Sequence, residues 1–316
     1  MQIFWGNDCI DSARLNNSVL TIGNFDGCHA GHREIFRRTR EHASAVGGVS
    51  VVYTFNPHPG SVIQGNSPQL IFSQEEKIAE VEACGMDYMV IVPFTREFAN
   101  MQPEQFIDEV ILGRIKAKGV VVGHDFCFGR QAKGDIAFLQ RIGGQRGFFV
   151  ETVAPVVHQG MVVSSTCLRG MIRSGDVAGA ALLLPHPFRL QGPVVHGMSR
   201  GRTLGFPTAN IRPDKSLLPA FGVYAVQVYM GAGTYPGVAN IGDNPTFGDE
   251  GTSLEVFIFD FQGDIYGNEL TVEFIERLRH EIRFENKEQL IAQIEKDCRD
   301  ARTILSRRIE SSQRHA

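Results

Sequence analysis

The chain has one tryptophan and six cysteines among its 316 residues. Cys9, Cys28, Cys84, Cys127, Cys167 and Cys298 show no paired spacing and no C-x-x-C, so they read as reduced thiols, not as a disulfide framework or zinc site. No apolar run reaches the roughly 18 residues of a membrane span, and the N-terminus lacks a basic segment leading into an apolar block. The expected location is cytoplasmic, with no membrane partner. A net charge of −4 gives no global basic field, which disfavours nucleic acid as a main partner. There is no G-x-x-x-x-G-K-[ST] and no G-x-G-x-x-G, so neither a P-loop nor a dinucleotide fingerprint is present. What remains is an ordinary globular composition, 43% hydrophobic and 21% charged, at a length that predicts about two domains.

The first half is organised around Thr21–His32, T-I-G-N-F-D-G-C-H-A-G-H. An apolar run precedes it and an amphipathic one follows, which predicts a strand, a glycine-punctuated turn and a helix start. Further apolar strands are predicted at Val49–Phe55, Tyr88–Val92, Val120–Val122 and Phe148–Val153. Helices are expected between them: Ser73–Cys84 with a Ser73/Glu76 capping box, Pro103–Ile115, and Asp135–Arg146. This alternation means a parallel sheet in a layered α/β domain. After two short helical pieces in Thr166–Leu184, strands at Phe188–Val195, Gly222–Tyr229, Tyr235–Ile241, Leu254–Phe261 and Leu270–Ile275 indicate an antiparallel barrel or sandwich. Asn286 and Gln289 cap a final helix with an apolar stripe of Leu290, Ile294, Ala301 and Leu305, and the polar tail from Ser306 is expected to fray. The boundary is expected at 186/187.

Ligands bind beyond the C-terminal strand ends of such sheets. Gly23–His32, Asn56–Gly60, Gly123–Gly134 and the segment around Ser164 all fall there. His29 and His32 share a face at a helix start, where free N–H groups favour a polyphosphate. Ser164, Ser165, Thr166 and Arg169 bring hydroxyls and a guanidinium to another helix start. Taken singly, these remain open to plain readings: a surface turn with incidental histidines, an ordinary N-cap, a turn with core phenylalanines.

Together the motifs are more specific. The set G-x-F-D-G-x-H-x-G-H, T-F-x-P-H-P, G-x-D-F-x-F-G and S-S-T-x-x-R resembles the FMN adenylyltransferase module of bacterial bifunctional riboflavin kinase/FAD synthetases. The set G-P-V-V-H-G-x-x-x-G-R-x-L-G-F-P-T-A-N-I, N-I-G-x-x-P-T-F, L-E-V-x-I-F-D-F and D-I-Y-G resembles their riboflavin kinase module. The likeness runs from about Thr21 to Asp297. It implies an N-terminal Rossmann-like nucleotidyltransferase domain with a parallel sheet (residues 1–186), followed by an antiparallel β-barrel with a terminal helix (187–316).

The resemblance also implies the chemistry. Riboflavin and ATP give FMN in the second module; FMN and ATP give FAD and pyrophosphate in the first, with Mg²⁺ bridging phosphates. His29 and His32 are expected at the ATP phosphates. Ser164, Thr166 and Arg169 are expected to hold the β- and γ-phosphates, and Gly23, Phe25, Asp26 and Asp125 to shape the nucleotide and flavin pockets. In the second module Gly197, Gly201 and Arg202 belong to a loop over phosphates, and Thr208 and Asn210 are the Mg²⁺ ligands. Glu255 is the general base and Arg279 a flavin or loop contact. The expected partners are small molecules alone, with the chain a monomer or weak homo-oligomer.

Two positions depart from the family pattern: Phe257 stands where many relatives carry His, and Cys167 where a first Arg is common. Cys28, Cys127 and Cys167 lie inside adenylylation motifs, where a helix N-terminus and nearby cations are expected to favour thiolates. Two other readings stay open at this point: a barrel that only senses flavin, and an interaction protein with vestigial sites.

Overall fold

The apolar runs of the first half become a six-stranded, fully parallel sheet in a computed structural model that describes residues 1–65, 68–197, 205–243 and 252–313, with backbone alone at 243, 252 and 309–313. Its strands are β1 (Gln2–Trp5), β2 (Val19–Ile22), β3 (Ser50–Phe55), β4 (Tyr88–Val92), β5 (Gly119–Gly123) and β6 (Phe149–Val153), in the spatial order β1-β4-β3-β2-β5-β6. Helices α1 (Ala30–Ala45), α2 (Pro59–Ile63), α3 (Gln74–Ala83), α4 (Arg96–Ala99), α5 (Pro103–Phe106) and α6 (Ile136–Arg146) connect them. Every residue of β2 is buried, because both faces of a parallel sheet must be covered. On one face Phe106, Ile111, Leu139 and Ile142 pack over Leu20, Tyr53 and Val120; on the other, Ile35 and Ala43 of α1 pack over Val19, Val121 and Val153.

Local chemistry explains the helix ends. Ser73 Oγ accepts from Glu76 N at 3.2 Å while Glu76 accepts from Ser73 N at 2.7 Å, the reciprocal cap expected for α3. The helix expected over Pro103–Ile115 is instead one α turn, α5, running into a π-helical stretch, Ile107–Arg114. The wider winding is visible where Ile115 N donates to Val110 O at 2.9 Å, five residues back, and it turns Ile107, Val110 and Ile111 into the core.

β2 has β3 on one side and β5 on the other. The chain thus leaves β2 in one direction and returns to fill the other, so a crevice opens beyond the C-terminal ends of β2 and β5. A two-residue-stranded hairpin, β7 (Val157–His158) with β8 (Met161–Val162), follows β6.

Two compact units make up the chain, Met1–Ser165 and Thr166–Ala316. Helices α7 (Ser165–Ser174) and α8 (Val177–Ala181) precede the second sheet. Arg277 donates to the Ser174 carbonyl at 3.1 Å, so the helix end is fastened to the second unit, and that unit begins before the 186/187 position expected from sequence.

The second sheet is a closed antiparallel barrel of β9 (Arg189–Val195), β10 (Ala209–Ile211), β11 (Gly222–Met230), β12 (Gly233–Asp243), β13 (Thr252–Ile258) and β14 (Glu269–Arg279). Closure removes unpaired edges. The last helix, α9 (Lys287–Gln313), starts where Gln289 N donates to Asn286 Oδ1 at 2.9 Å. It continues past Ser306, where the polar tail was expected to fray. Ala301 and Leu305 seat it on Ala225 and Phe259 of the barrel unit. Glu273, 2% exposed, holds its far end through Arg308 at 3.1 Å while also pairing Arg189 at 2.6 Å. No helix among the described residues is long and apolar enough to cross a membrane.

Because Leu305 is 3% exposed, Leu305→Ala leaves a void between α9 and the barrel. It is expected to cost about 2–4 kcal/mol, read as a lower urea midpoint by circular dichroism, with an unchanged slope.

Candidate active sites

The turn from β2 into α1 forms the floor of the first site. Phe25 and Cys28 take left-handed backbone (φ 51° and 39°) on either side of Gly27 (φ 82°), and this folds six residues tightly enough to start α1 at Ala30. His29 is the N-cap of α1. Its imidazole stacks on that of His32, with centroids 3.6 Å apart and planes 20° apart. A Cβ placed at Gly31 would sit 3.2 Å from the His29 ring, so glycine lets the imidazole lie back over the helix start. Phe25 meets His32 edge-on at 5.3 Å and packs on Phe36 at 4.8 Å.

Burial first, then the neighbouring His29 and Lys77, holds the His32 pKa well below 6.5. Its Nδ1 is buried without a hydrogen bond among the described residues. Two stacked imidazoles cannot both carry charge at this distance without a counter-ion.

Asp26 anchors the turn. It is 2% exposed, and its carboxylate accepts from Ile71 N at 3.0 and 3.2 Å and from Phe72 N at 3.1 Å. Its carbonyl accepts from Ser165 Oγ at 2.9 Å. Phe25 is likewise 2% exposed, and Gly23 is the residue that makes room for its ring, since a Cβ there would lie 2.9 Å away. These three position the turn. Asp125 is exposed on the loop after β5, whose Phe126 and Phe128 stack at 5.5 Å. Ser164 lies at the start of α7 within the first unit, and Thr166 and Arg169 follow along that helix in the second.

The thiolate expectation fails at Cys28. The side chain is fully buried, its sulfur lies 3.4 Å from the Phe25 carbonyl, and desolvation pushes the thiol pKa up. Burial outweighs the helix end. Cys127 is exposed and Cys167 half-buried.

The second site is a cavity of about 530 Å³ in the barrel unit. Phe206, Phe257 and Phe284 give it flat apolar walls, and Thr208, Glu255 and Arg279 give it polar points. Register places Glu255 of β13 opposite Asn210 of β10 on one side and Asn240 of β12 on the other. Thr208 Oγ1 donates to Glu255 Oε2 at 3.4 Å. Asn210 is 7% exposed. A Cβ at Gly197 would lie 2.2 Å from its amide nitrogen, so only glycine lets this backbone approach. Gly201 and Arg202 lie outside the described residues. Phe257 stands edge-on to Phe206 at 5.6 Å, so the aromatic replacement extends the apolar wall. Sequence reasoning missed Asn240 and Asp297, which also line the cavity; Asn240 opens the N-I-G motif and was the readable signal. Cys298 lines it too, and burial raises its thiol to about 11.

The lowered His32 pKa sets a sign. Between that value and 6.5 the unfolded chain holds a proton the folded chain refuses, so stability is present above about pH 6.5 and is lost as pH falls. The melting temperature is expected to drop between pH 7.5 and pH 5.5, and His32→Asn is expected to flatten that dependence in a calorimetric pH series.

Comparisons with known proteins agree with this arrangement. A family model described as FAD synthetase matches residues 11–167, and one described as riboflavin kinase matches residues 184–305. The chain is 37% identical over 294 residues to a bifunctional riboflavin kinase/FMN adenylyltransferase of Haemophilus influenzae, covering 92% of this chain and 96% of that one. It is 38% identical over 291 residues to the protein of that name from Bacillus subtilis, covering 90% and 91%. It is also similar to a solved structure described as a macrolide-efflux protein from Streptococcus pneumoniae, with a TM-score of 0.87 and 32% identity over 96% of this chain and 99% of that one. With both domains matched in order, the chain belongs to the bifunctional riboflavin kinase/FMN adenylyltransferase family.

Proposed function

We propose that residues 1–186 carry the FMN adenylyltransferase and residues 187–316 the riboflavin kinase, with the residue roles that follow. The observation that carries the kinase assignment is the row Asn210–Glu255–Asn240 across three adjacent strands, beside an aromatic-walled cavity of suitable size for a flavin.

In the kinase head Glu255 takes the proton of the ribityl 5′-hydroxyl as the oxygen attacks the γ-phosphorus and ADP leaves. Thr208 holds the carboxylate's orientation from 3.4 Å. Thr208 and Asn210 offer neutral oxygens beside that carboxylate. No group of three His, Cys, Asp or Glu residues suited to a metal occurs among the described residues. Such a donor set fits Mg²⁺, which keeps waters and phosphate oxygens as its other ligands. When bound, it supplies neutralisation of the triphosphate charge. Gly197 lets backbone come close to the phosphates, and Gly201 and Arg202 extend that loop on the resemblance alone. Arg279 meets the flavin.

In the adenylylating head His29 and His32 face the triphosphate. The two rings offer N–H donors to the triphosphate and stabilise charge as the FMN phosphate attacks the α-phosphorus and pyrophosphate leaves. Gly23, Phe25 and Asp26 hold the turn that aims them, and Asp125 borders the crevice. Ser164, Thr166 and Arg169 stand as hydroxyl and guanidinium donors to the β- and γ-phosphates on the resemblance. Both heads draw on ATP, which supports a cytoplasmic setting, and neither needs a second copy of the chain.

Incubation with ATP, Mg²⁺ and either riboflavin or FMN, resolved by chromatography, tests the division. Glu255→Gln is expected to lower FMN formation by about 10²–10⁴-fold while FAD formation from supplied FMN persists. His32→Asn is expected to do the reverse. Loss of both activities in either variant contradicts the assignment.

A further inference from the structure

Arg279 closes β14 on the wall of the barrel cavity, and its guanidinium is already gripped from within the protein. Nε lies 3.1 and 2.9 Å from the two Asp297 oxygens, and Nη2 lies 2.9 Å from Asp297 Oδ2. Nη1 donates to the His280 carbonyl at 3.0 Å. A guanidinium has five N–H groups, so two stay available among the described residues. The Phe284 ring lies 5.8 Å from its carbon. Asp297 is itself held: its side chain is 5% exposed, and Gln293, one turn earlier on α9, donates to Oδ1 at 2.8 Å. Arg279, Phe284 and Asp297 all line the cavity.

A long arginine normally surrenders rotamer freedom when it binds a ligand. Here that ordering is done on folding, because a side-on carboxylate fork fixes both the plane and the direction of the guanidinium. Phe284, Leu290 and Ile294 line the same cavity as apolar surface, with Glu281 and Arg283 as the other charged neighbours of Arg279. A flat ring with one carbonyl-bearing edge and one hydrocarbon edge needs that combination: greasy walls and donors at one fixed place.

We propose that Asp297, steadied by Gln293, is a positioning residue for riboflavin phosphorylation, locking the Arg279 fork so that its two remaining N–H groups meet the carbonyl edge of the flavin ring. This rests on the assignment of the cavity to riboflavin. Asp297 touches no reacting atom; it acts through Arg279.

The test uses the full chain and flavin fluorescence to measure the riboflavin Kd, with KM for ATP and melting temperature alongside. Asp297→Asn is expected to weaken riboflavin binding about tenfold, the scale of one charge-assisted contact, with KM for ATP and FMN adenylylation unchanged. Asp297→Glu, which keeps the charge, recovers part of the loss. Arg279→Lys weakens riboflavin similarly, and the double variant is no worse than Arg279→Lys alone. A Kd within about twofold of wild type in Asp297→Asn overturns the inference, as do losses that multiply in the double variant. A lower melting temperature with an unchanged Kd means the pair only latches α9, and also overturns it. If Asp297→Asn does not fold, Gln293→Ala is read instead: about threefold weaker binding supports the proposal and no change overturns it. A wild-type chain that fails to bind riboflavin removes the cavity assignment and this inference together, whereas wild-type binding matched by Asp297→Asn removes the inference alone.

Discussion

One buried carboxylate ties together the loops of the first head. Asp26 reaches with its side chain to the backbone amides of Ile71 and Phe72 and with its carbonyl to Ser165 Oγ. Three stretches far apart in sequence therefore meet at a single residue: the turn after β2, the approach to α3, and the start of α7. An acceptor this deeply buried is costly to leave unpaired, so the three stretches are held in one arrangement. The stacked imidazoles depend on it, because the turn that Asp26 pins is the turn that ends at His29. A charged side chain at a strand end reads as a ligand group; here its use is to make the backbone rigid.

The two candidate sites differ in their electrostatics. The first has two stacked imidazoles at a helix start, where burial holds the His32 pKa low. The second places a carboxylate between two amide side chains by strand register, so its geometry is set by ladder hydrogen bonds and not by a loop. Register is a strong constraint in a closed barrel, since a slip by one residue would turn Glu255 to the opposite face. The geometry of this row is consequently a property of the sheet.

Much of this was readable in the linear order of residues, and the failures have physical causes. The Ser73/Glu76 cap, the strand alternation and the loops gathered at one sheet edge are local signals, and they appear as expected. β1 and β10, four and three residues long, are too short to show a period. Extended lengths were also underestimated: β14 runs to Arg279 and α9 to Gln313, because the polar residues there pair with partners remote in sequence. Asp297 was invisible for the same reason, since its meaning comes only from Arg279 on another element. Cys28 shows the converse error. Nearby helix ends and cations pointed to a thiolate, but desolvation depends on packing that no short motif encodes, and it wins.

Cys298 gives the barrel an asymmetry in how it meets electrophiles. With burial holding its thiol up at about 11, the thiolate that electrophiles attack is scarce near pH 7, so a small alkylating agent colliding at random meets little nucleophile. A compound first retained by the surrounding aromatic walls would dwell long enough for that rare ionised form to react. The feature favours warheads carried on a flavin-shaped scaffold over broadly reactive ones, and makes occupancy, not intrinsic reactivity, the quantity that governs covalent capture.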